Sequence, residues 1–474
     1  METPPPPQIV DERTYLLRKN SARSNRLEPN PINVEVTDDY DQRESTPQQS
    51  QLGYFAVIFL TVNATLGAGL LNIPYAFAQS GGLFPSICAQ MVHVLLVVAS
   101  LLILTGCSNI SKSDSLQGVV THFCGRFWRL VCSLSIFLYS YGACVTYVII
   151  IGDQLTKIFG TFYPSVYNQH WYFDGDLFII LICIFTILPL CCSKHISFLK
   201  FASFFGFLCT LYLTILIFVE FLKIDDHYDN STVHLLSSDQ PIGSIDWSKI
   251  FNVIPVLTFS YQCQLSWVPT YAQIEKRDNY FRISVMILVS LLICFLSYTW
   301  TAVFGILSFG SNGIEKDIMQ NYDPKDPFVL FAMILLIVKT IVVYPVLLFC
   351  GRIVIEELMP YLNSRQPFLL RVIIATIWVL SSCTLAILVP NIAVVINYLG
   401  SLANLFVFIL PGLCLYYSIL DDEQLALMQK ELWLIRNRTT LLCISIIFVA
   451  YGIFILVISI AQIAIQQTRN ISHN

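Results

Sequence analysis

Charged residues are scarce in this 474-residue chain: Asp, Glu, Lys and Arg make up 12% of it, and hydrophobic residues make up 55%. Soluble domains carry about 25% charged residues, so an ordinary soluble domain is excluded. The apolar runs contain no His/Asp/Glu metal cluster, nucleophile elbow or phosphate loop, which argues against an intramembrane enzyme. No basic run indicates nucleic-acid binding. The first 50 residues contain no signal-peptide core, so the first apolar run is expected to direct membrane insertion.

The chain is instead a series of apolar runs, each long enough to cross a ~30 Å hydrocarbon layer as a helix. Lipid offers the backbone no hydrogen-bond partner, so a span must be a helix or part of a closed barrel. Barrel strands alternate apolar and polar residues, whereas these runs are apolar on every side. The sequence therefore predicts an all-α membrane protein of about 11 spans. These are 54–78, 83–108, 130–157, 176–193, 198–222, 250–272, 283–309, 327–350, 368–389, 391–417 and 440–466.

The distribution of Lys and Arg predicts the orientation of the spans. If the N-terminal tail is cytosolic, only six of the 27 fall on the outer face. These six are Lys157, Lys223, Lys249, Lys316, Lys325 and Arg469. Lys339 lies within a span, and the remaining basic residues are cytosolic. Such a bias is the positive-inside pattern, and it predicts a cytosolic N-terminus and an outer C-terminus.

Span 1 contains two glycines and a proline near the middle of the bilayer. Gly67 and Gly69 flank Ala68, and Pro74 follows, a combination that weakens the helical ladder. Unwinding here frees backbone N–H groups that a substrate carboxylate can satisfy at a helix N-terminus. The alternative is close helix packing through small residues. On the first interpretation, Gly67→Val is expected to abolish transport but not expression.

Span 6 carries a second interruption. A polar group, Ser260, Tyr261, Gln262 and Gln264, lies between Pro255 and Pro269. This much polarity is costly in lipid unless it faces a cavity or other helices. Spans 1 and 6 stand five apart, as in inverted five-helix repeats with a site at their interface. The paired interruptions favour a transporter over simple packing.

Six ordered segments resemble a known family. They are NATLGAGLLNIPYAF, IIIGDQLTKI, ILPLCCSKHISFLKFAS, FSYQCQLSWVP, YPVLLFCGRIVIEEL and NYLGSLANLFVFILPGLCL. Together they are similar to the sodium-coupled neutral amino acid transporters of the amino acid/auxin permease group, nearest to the lysosomal seventh subtype. The resemblance, over about residues 52–466, implies a LeuT/APC-like five-plus-five inverted repeat with broken helices 1 and 6 and an eleventh helix. It also implies glutamine or asparagine as the substrate.

The resemblance further implies roles for residues at both interruptions. Those expected to bind substrate are Thr65, Leu66, Gly67, Ala68, Gly69, Leu70, Phe259, Ser260, Tyr261 and Gln262. The first six would hold the substrate backbone and the last four would line the side-chain pocket. Asn63 matches a family asparagine linked to sodium; its alternative role is a hydrogen bond between helices.

Span 8 departs from the family at the second sodium contact, a hydroxyl shortly before the proline that matches Pro345. Residues 341–343 carry no hydroxyl, so Thr340 is the candidate ligand, and Lys339 precedes it. At 1.5 Å per residue Lys339 lies ~18 Å inside the membrane, too deep for easy snorkelling. Two interpretations stay open. In one, the ammonium replaces sodium as a fixed charge, with a pKa lowered by desolvation that permits proton coupling. In the other, Lys339 faces a water-filled crevice and carbonyls still bind sodium.

Opposite charges stand close together near two helix ends. Asp153 and Lys157, four residues apart, are expected to form an ion pair rather than a proton relay. Glu220 and Lys223 are expected to pair similarly at the end of span 5. His93 in span 2 is expected to be a packed histidine.

Residues 1–51 are polar and predicted to be a disordered cytosolic tail. Glu12, Leu16 and Leu17 fit an acidic dileucine signal for clathrin adaptors, a pattern that also arises by chance. With the family resemblance, it favours a lysosomal or late endosomal membrane over the plasma membrane. Asn230, in an Asn-x-Thr/Ser sequon on the predicted outer face, is the better glycosylation candidate; otherwise it is an unmodified loop residue.

These features predict a secondary active transporter of neutral amino acids that works by alternating access and exports from the lysosome, coupled to sodium or protons. No other cofactor is expected. The predicted division is a tail (1–51), a first repeat (52–222), a cysteine-free outer loop (223–249), a second repeat (250–420), and a segment holding a cytosolic loop and helix 11 (421–474). The competing interpretation is an amino-acid-sensing receptor with weak or no net transport.

Overall fold

A computed structural model describes residues 53–164, 175–192, 198–225, 247–274, 280–358, 367–389, 391–431 and 437–473. The regular elements of these residues are all helices. The tail, and with it Glu12, Leu16 and Leu17, lies outside the described residues, as does Asn230. The helices are α1 (Tyr54–Thr65), α2 (Gly69–Gln79), α3 (Leu83–Ser111), α4 (Leu116–Phe162), α5 (175–192), α6 (Phe198–Asp225), α7 (Val253–Ser260), α8 (Gln264–Ala272), α9 (Tyr280–Gly313), α10 (Pro327–Leu358), α11 (Pro367–Leu388), α12 (Ile392–Leu420), α13 (Asp422–Glu431) and α14 (Arg438–His473).

Eight of these helices are long and apolar enough to cross a membrane, and the α1–α2 pair, bent by 55°, makes a ninth candidate span. The chain is therefore a multi-pass helical membrane protein. Two further predicted spans correspond to shorter elements: α5, which contains a π-helical turn at Cys183–Ile187, and the α7–α8 pair. The count of 11 and the inverted repeat stay predictions.

Local sequence explains where several helices begin and end. The Ser115 hydroxyl accepts a hydrogen bond from the Gly118 N–H at 3.2 Å and caps α4. This helix starts before the predicted span because it includes a first segment that kinks at Gly125, where φ is +81°. Predicted spans 9 and 10 are separate helices, since α11 ends at Leu388 and α12 begins at Ile392.

The polarity of the fold is reversed relative to a soluble protein. Large apolar side chains such as Phe55 and Phe127 are exposed on the outside, where lipid would solvate them. Polar side chains such as Gln90, Gln264 and Asn404 are fully buried between helices. This is the arrangement expected of a helical bundle that faces hydrocarbon. The broken helices lie in the interior of this bundle, with most of α2, α7 and α8 buried.

Small residues allow the helices around the broken pair to approach closely. A Cβ added to Gly400 of α12 would lie 3.0 Å from the Cα of Pro255 in α7. Since that neighbour is backbone, it cannot rotate away. The first half of broken span 6 is thus packed directly against α12.

Candidate substrate site at two broken helices

Span 1 breaks at Leu66, between α1 and α2. Leu66 has φ −76° and ψ 69°, and the Gly67 N–H donates to the Thr65 carbonyl at 2.8 Å, which together describe an inverse γ-turn. The predicted interruption is confirmed. It falls at the first of the two glycines, and Pro74 lies one turn inside α2 rather than at the break.

The break leaves amide groups free at the start of α2. The first hydrogen bonds of this helix run from the N–H groups of Leu70 and Leu71 to the carbonyls of Gly67 and Ala68. Within the described residues, no partner accepts from the N–H groups of Ala68 and Gly69. A helix N-terminus carries a partial positive charge, so these two donors are suited to a carboxylate.

Span 6 breaks over Tyr261–Cys263. The Tyr261 N–H still donates to the Leu257 carbonyl at 2.9 Å, but the new helix begins only at Gln264. The Gln264 side chain stabilises the break, since its Oε1 accepts from the Cys263 N–H at 3.1 Å. Both predicted interruptions are therefore present, and each is held by specific contacts.

Tyr298 of α9 joins the two breaks. Its buried hydroxyl lies 2.7 Å from the carbonyl oxygen of Thr65 and 3.0 Å from that of Ser260, the last residues of α1 and α7. One proton is thus shared between two carbonyls at the ends of broken helices. The Thr65 carbonyl also accepts from the Gly67 N–H, whereas the Ser260 carbonyl has no other donor among the described residues. Buried carbonyls left unsatisfied cost about 1–3 kcal/mol, so Tyr298 stabilises both breaks together. Tyr298 is not among the residues predicted from the sequence.

The two breaks are also in steric contact. A Cβ added to Gly69 would lie 2.8 Å from the Cβ and 3.1 Å from the Cα of Ser260, and closer still to its hydroxyl. At Gly67 the same addition meets only the Tyr147 hydroxyl at 3.9 Å and the Thr65 carbonyl at 4.0 Å. The packing interpretation therefore holds for Gly69, while Gly67 lies in a more open place.

The four predicted pocket residues of span 6 do not all face the same way. Tyr261 is fully buried, and its hydroxyl accepts from the Gln90 amide of α3 at 2.7 Å. Phe259 packs toward Tyr139, with ring centroids 6.2 Å apart. The Gln262 amide nitrogen is buried, and it has no hydrogen-bond partner among the described residues. The Ser260 hydroxyl is buried beside Gly69 and also has no partner in the described part of the chain. Phe259, Ser260 and Gln262 are thus better placed than Tyr261 to meet a substrate.

Sequence reasoning missed the aromatic wall that α4 supplies. Tyr139 packs against Phe259 and also edge-on against Phe406, with centroids 5.9 Å apart. Tyr147, eight residues further along α4, places its hydroxyl near Gly67. The spacing of these tyrosines, about two helical turns, was the available signal.

Lys339 of α10 is buried and turns toward the first break. Its ammonium donates to the Leu66 carbonyl at 3.0 Å and to the Thr210 hydroxyl of α6 at 2.6 Å. Hydrogen bonds to a charged group contribute about 1.5–3 kcal/mol each. Two such bonds are comparable to the about 2.5–3.5 kcal/mol cost of a lysine at the centre of a membrane helix. Lys339 has no acidic partner in the described part of the chain.

The two residues predicted to bind sodium, Asn63 and Thr340, have different surroundings. The Asn63 side chain faces Gly206 of α6, and its buried Oδ1 has no partner among the residues described. The Thr340 hydroxyl instead bonds the Leu336 and Ile337 carbonyls of its own helix, at 2.9 and 2.8 Å. Gly67, Leu70, Thr210 and Lys339 are among the residues that line a narrow cavity beside the break.

The loop between α9 and α10 is hydrogen-bonded to α2 and to α4. Its Lys316 carbonyl accepts from the Asn72 amide of α2 at 2.8 Å. The buried Asp317 carboxylate accepts from the Gln154 amide of α4 at 2.7 Å and from the Met319 N–H at 2.9 Å. Burial raises the pKa of Asp317 to about 7, although these two donors oppose the shift.

The prediction of an ion pair between Asp153 and Lys157 is wrong. Lys157 instead donates to the Gln320 carbonyl of the same loop at 2.8 Å, and the Gln320 amide donates to the Asp153 carbonyl at 2.9 Å. The Glu220–Lys223 pair is confirmed at 2.6 Å, and Lys223 also contacts Asp326 at 2.6 Å. His93 is packed as expected, edge-on against Phe408 at 5.3 Å.

Among the described residues, no group of three His, Cys, Asp or Glu could hold a metal ion. The polar groups gathered at the two breaks are backbone amides, which donate, carbonyls, which accept, and hydroxyls, which can do both. They can bind a zwitterion by its charged ends.

Comparison with known proteins agrees with this geometry. Residues 50–461 match the family described as transmembrane amino acid transporter protein. The chain is 32% identical to sodium-coupled neutral amino acid transporter 7 of Danio rerio, over 94% of this chain and 91% of that protein. It is 31% identical to solute carrier family 38 member 8 of Mus musculus, over 80% and 87% of the two chains.

Among solved structures, MhsT in complex with L-phenylalanine has a TM-score of 0.49 and 13% identity, covering 84% of this chain and 99% of that one. The matched family and the relatives consist of transporters rather than enzymes. From its match over residues 50–461 and its identity to these relatives, the chain belongs to the transmembrane amino acid transporter family.

Proposed function

We propose that this chain is a secondary active transporter of neutral amino acids, with glutamine or asparagine favoured, that works by alternating access. The observation that carries the proposal is the pair of unpartnered N–H groups, Ala68 and Gly69, at a break that faces a second broken helix. A zwitterion supplies the carboxylate these donors need. The relatives named as neutral amino acid transporters support the substrate class.

The substrate binds with its carboxylate at the start of α2 and its side chain toward span 6. Phe259 and Tyr139 offer the aliphatic part of the side chain an apolar wall. The unpartnered Gln262 amide offers a donor to the terminal carbonyl of a glutamine or asparagine. A site with a buried hydrogen-bond donor favours substrates that carry a matching acceptor, because a substrate without that acceptor leaves the donor unsatisfied.

Transport is coupled to an ion gradient, sodium or protons. The relatives named as sodium-coupled support sodium. The buried Asn63 Oδ1 near the break has no partner among the described residues, and it is an oxygen ligand of the kind that a hard cation prefers. As one bundle of helices rocks against the other, the site opens to each side in turn.

The membrane is proposed to be that of the lysosome or late endosome, with a cytosolic N-terminus and net export to the cytosol. The support is the tail pattern of Glu12, Leu16 and Leu17, read by an adaptor, together with the distribution of basic residues. Replacement of Leu16 and Leu17 by Ala is expected to move a tagged protein to the cell surface. An unchanged distribution would reject the signal.

Uptake of labelled glutamine into proteoliposomes, under separately imposed sodium and proton gradients, tests the transport function. The wild type is expected to concentrate glutamine, and Gln262→Leu is expected to lose the preference for glutamine over alanine. Gln273→Leu is a matched control, because the Gln273 amide bonds the Pro269 carbonyl of its own helix at 3.2 Å. Saturable binding without uptake would contradict the transporter and favour the sensing receptor.

A further inference from the structure

The break in span 1 places the partially positive start of α2 close to the partially negative end of α1. On the α2 side, the N–H groups of Ala68 and Gly69 have no acceptor in the part of the chain that the structure describes. On the α1 side, the last carbonyls carry the partial negative charge of a helix C-terminus. A broken helix of this kind presents one place for an anion and one for a cation.

The place for a cation is already filled by the chain itself. The Leu66 carbonyl, whose helical donor is lost at the break, accepts from the Lys339 ammonium at 3.0 Å. The Thr210 hydroxyl donates its own proton to the Gly206 carbonyl at 2.8 Å. It therefore faces Lys339 with a lone pair, at 2.6 Å. Both contacts of the ammonium are oxygen acceptors, the ligand type that sodium uses.

A third oxygen acceptor lies where the same two helices, α1 and α6, meet. Asn63 is one turn before Gly67, and its buried Oδ1 rests against Gly206, one turn before Thr210. No described residue donates to this Oδ1. The hydroxyl nearest Lys339 along α10, that of Thr340, turns away to its own helix. On span 8, the ammonium rather than a hydroxyl reaches the break.

We propose that the Lys339 ammonium is a tethered cation that occupies the oxygen acceptors of the span 1 break in place of a sodium ion. It links the end of α1 to α6 through its contacts with the Leu66 carbonyl and the Thr210 hydroxyl. Glutamine uptake by this chain is then independent of sodium at this position. The inference rests on the proposed transport function for its uptake assay, and a binding assay tests it separately.

The first experiment replaces sodium by N-methyl-D-glucamine during uptake of labelled glutamine by the wild type in proteoliposomes. The initial rate is expected to change less than twofold. A loss of tenfold or more would overturn the proposal. If no preparation transports glutamine, the proposed function fails, and the following measurement still decides the role of Lys339.

The second experiment measures the thermal stability of purified protein with and without 100 mM NaCl, balanced by choline chloride. The wild type is expected to show no sodium-specific shift. Lys339→Thr removes the ammonium and adds a hydroxyl, so sodium is expected to raise its unfolding temperature and to restore binding of glutamine. A Lys339→Thr protein that folds and ignores sodium would contradict the proposal.

If Lys339→Thr does not fold, two threonine variants of α6 test the proposal instead. Thr210→Val removes one acceptor without changing shape and is expected to slow uptake at least tenfold. Thr214→Val is the control, since the Thr214 hydroxyl, one turn further along α6, bonds the Thr210 carbonyl of its own helix at 3.0 Å. Equal effects of the two would refute the acceptor role of Thr210.

Discussion

The contact between Gly69 and Ser260 gives a quantitative test of how the two broken helices meet. A methyl group at position 69 would lie 2.8 Å from the Ser260 Cβ and 3.1 Å from its Cα. The serine hydroxyl can rotate, but its Cβ and Cα are fixed by α7. Overpacking of this kind costs about 1–3 kcal/mol. If this penalty falls on one state of the transport cycle, its population drops about 5- to 150-fold.

The measurement compares glutamine uptake and thermal stability for Gly69→Ala, Gly67→Ala and wild type. Gly69→Ala is expected to reduce uptake by about 5- to 150-fold, whereas Gly67→Ala has the smaller effect, because its Cβ meets nothing closer than 3.9 Å. Gly67→Val, which the sequence alone singled out, is the less informative change. It combines β-branching with bulk beside the proposed substrate.

A second-site change makes this prediction refutable. Ser260→Gly removes the Cβ and hydroxyl that the new methyl group would strike, so the double variant Gly69→Ala/Ser260→Gly is expected to regain most of the lost uptake. The coupling energy should then lie in the range of about 0.5–3 kcal/mol typical of residues in contact. Additive effects of the two changes would show that the steric reasoning is wrong.

Two further predictions concern the connections around the site. Because burial raises the pKa of Asp317 to about 7, the folded protein keeps a proton that the unfolded chain releases near pH 3.9. Stability should therefore fall as pH rises from about 4 to 7, with a slope of at most about 1.4 kcal/mol per pH unit. Thermal unfolding at pH 5 and 7.5 checks this, and Asp317→Asn should lose that part of the dependence; an equal slope in both would contradict it. Tyr298→Phe leaves the Ser260 carbonyl without a donor in the described part of the chain and the Thr65 carbonyl with the Gly67 N–H alone, so we expect about 1–3 kcal/mol lower stability. Tyr141→Phe, which keeps its ring contact with Trp378 at 5.3 Å, is the control, and equal unfolding temperatures for the two would refute the bridging role.

The breaks were predictable because their cause is local. Glycines and prolines weaken a helix wherever they stand, so Gly67 and the polar run after Phe259 indicated both interruptions. The partners that hold the breaks were not predictable, because they come from distant segments. Tyr298 reaches a carbonyl 233 residues away, and Lys339 reaches one 273 residues away. A lysine within a span signals that some partner exists, but the pattern does not say which.

The Asp153–Lys157 prediction failed for the same reason. The spacing of four on a helix brings two side chains within reach, but it does not exclude a better acceptor from elsewhere. Here the Gln320 carbonyl of a loop more than 160 residues away receives the Lys157 ammonium. Glu220 and Lys223 do pair, and the second partner of Lys223, Asp326, again belongs to a distant loop.

The end of α1 is held from two sides, and this constrains how the site can move. Tyr298 attaches the Thr65 carbonyl to α9, and Lys339 attaches the Leu66 carbonyl to α10 and, through Thr210, to α6. One residue later, Gly67 has open space, while Gly69 is again packed against α7. Between these contacts Gly67 is sterically the more open of the two glycines, and its N–H and carbonyl are bonded only within the chain's own turn, to Thr65 and Leu70. We therefore expect α1 and α2 to change their 55° angle at Gly67 as the site opens, with both tethers kept, because breaking either would strand a buried carbonyl or an unpaired ammonium in the membrane.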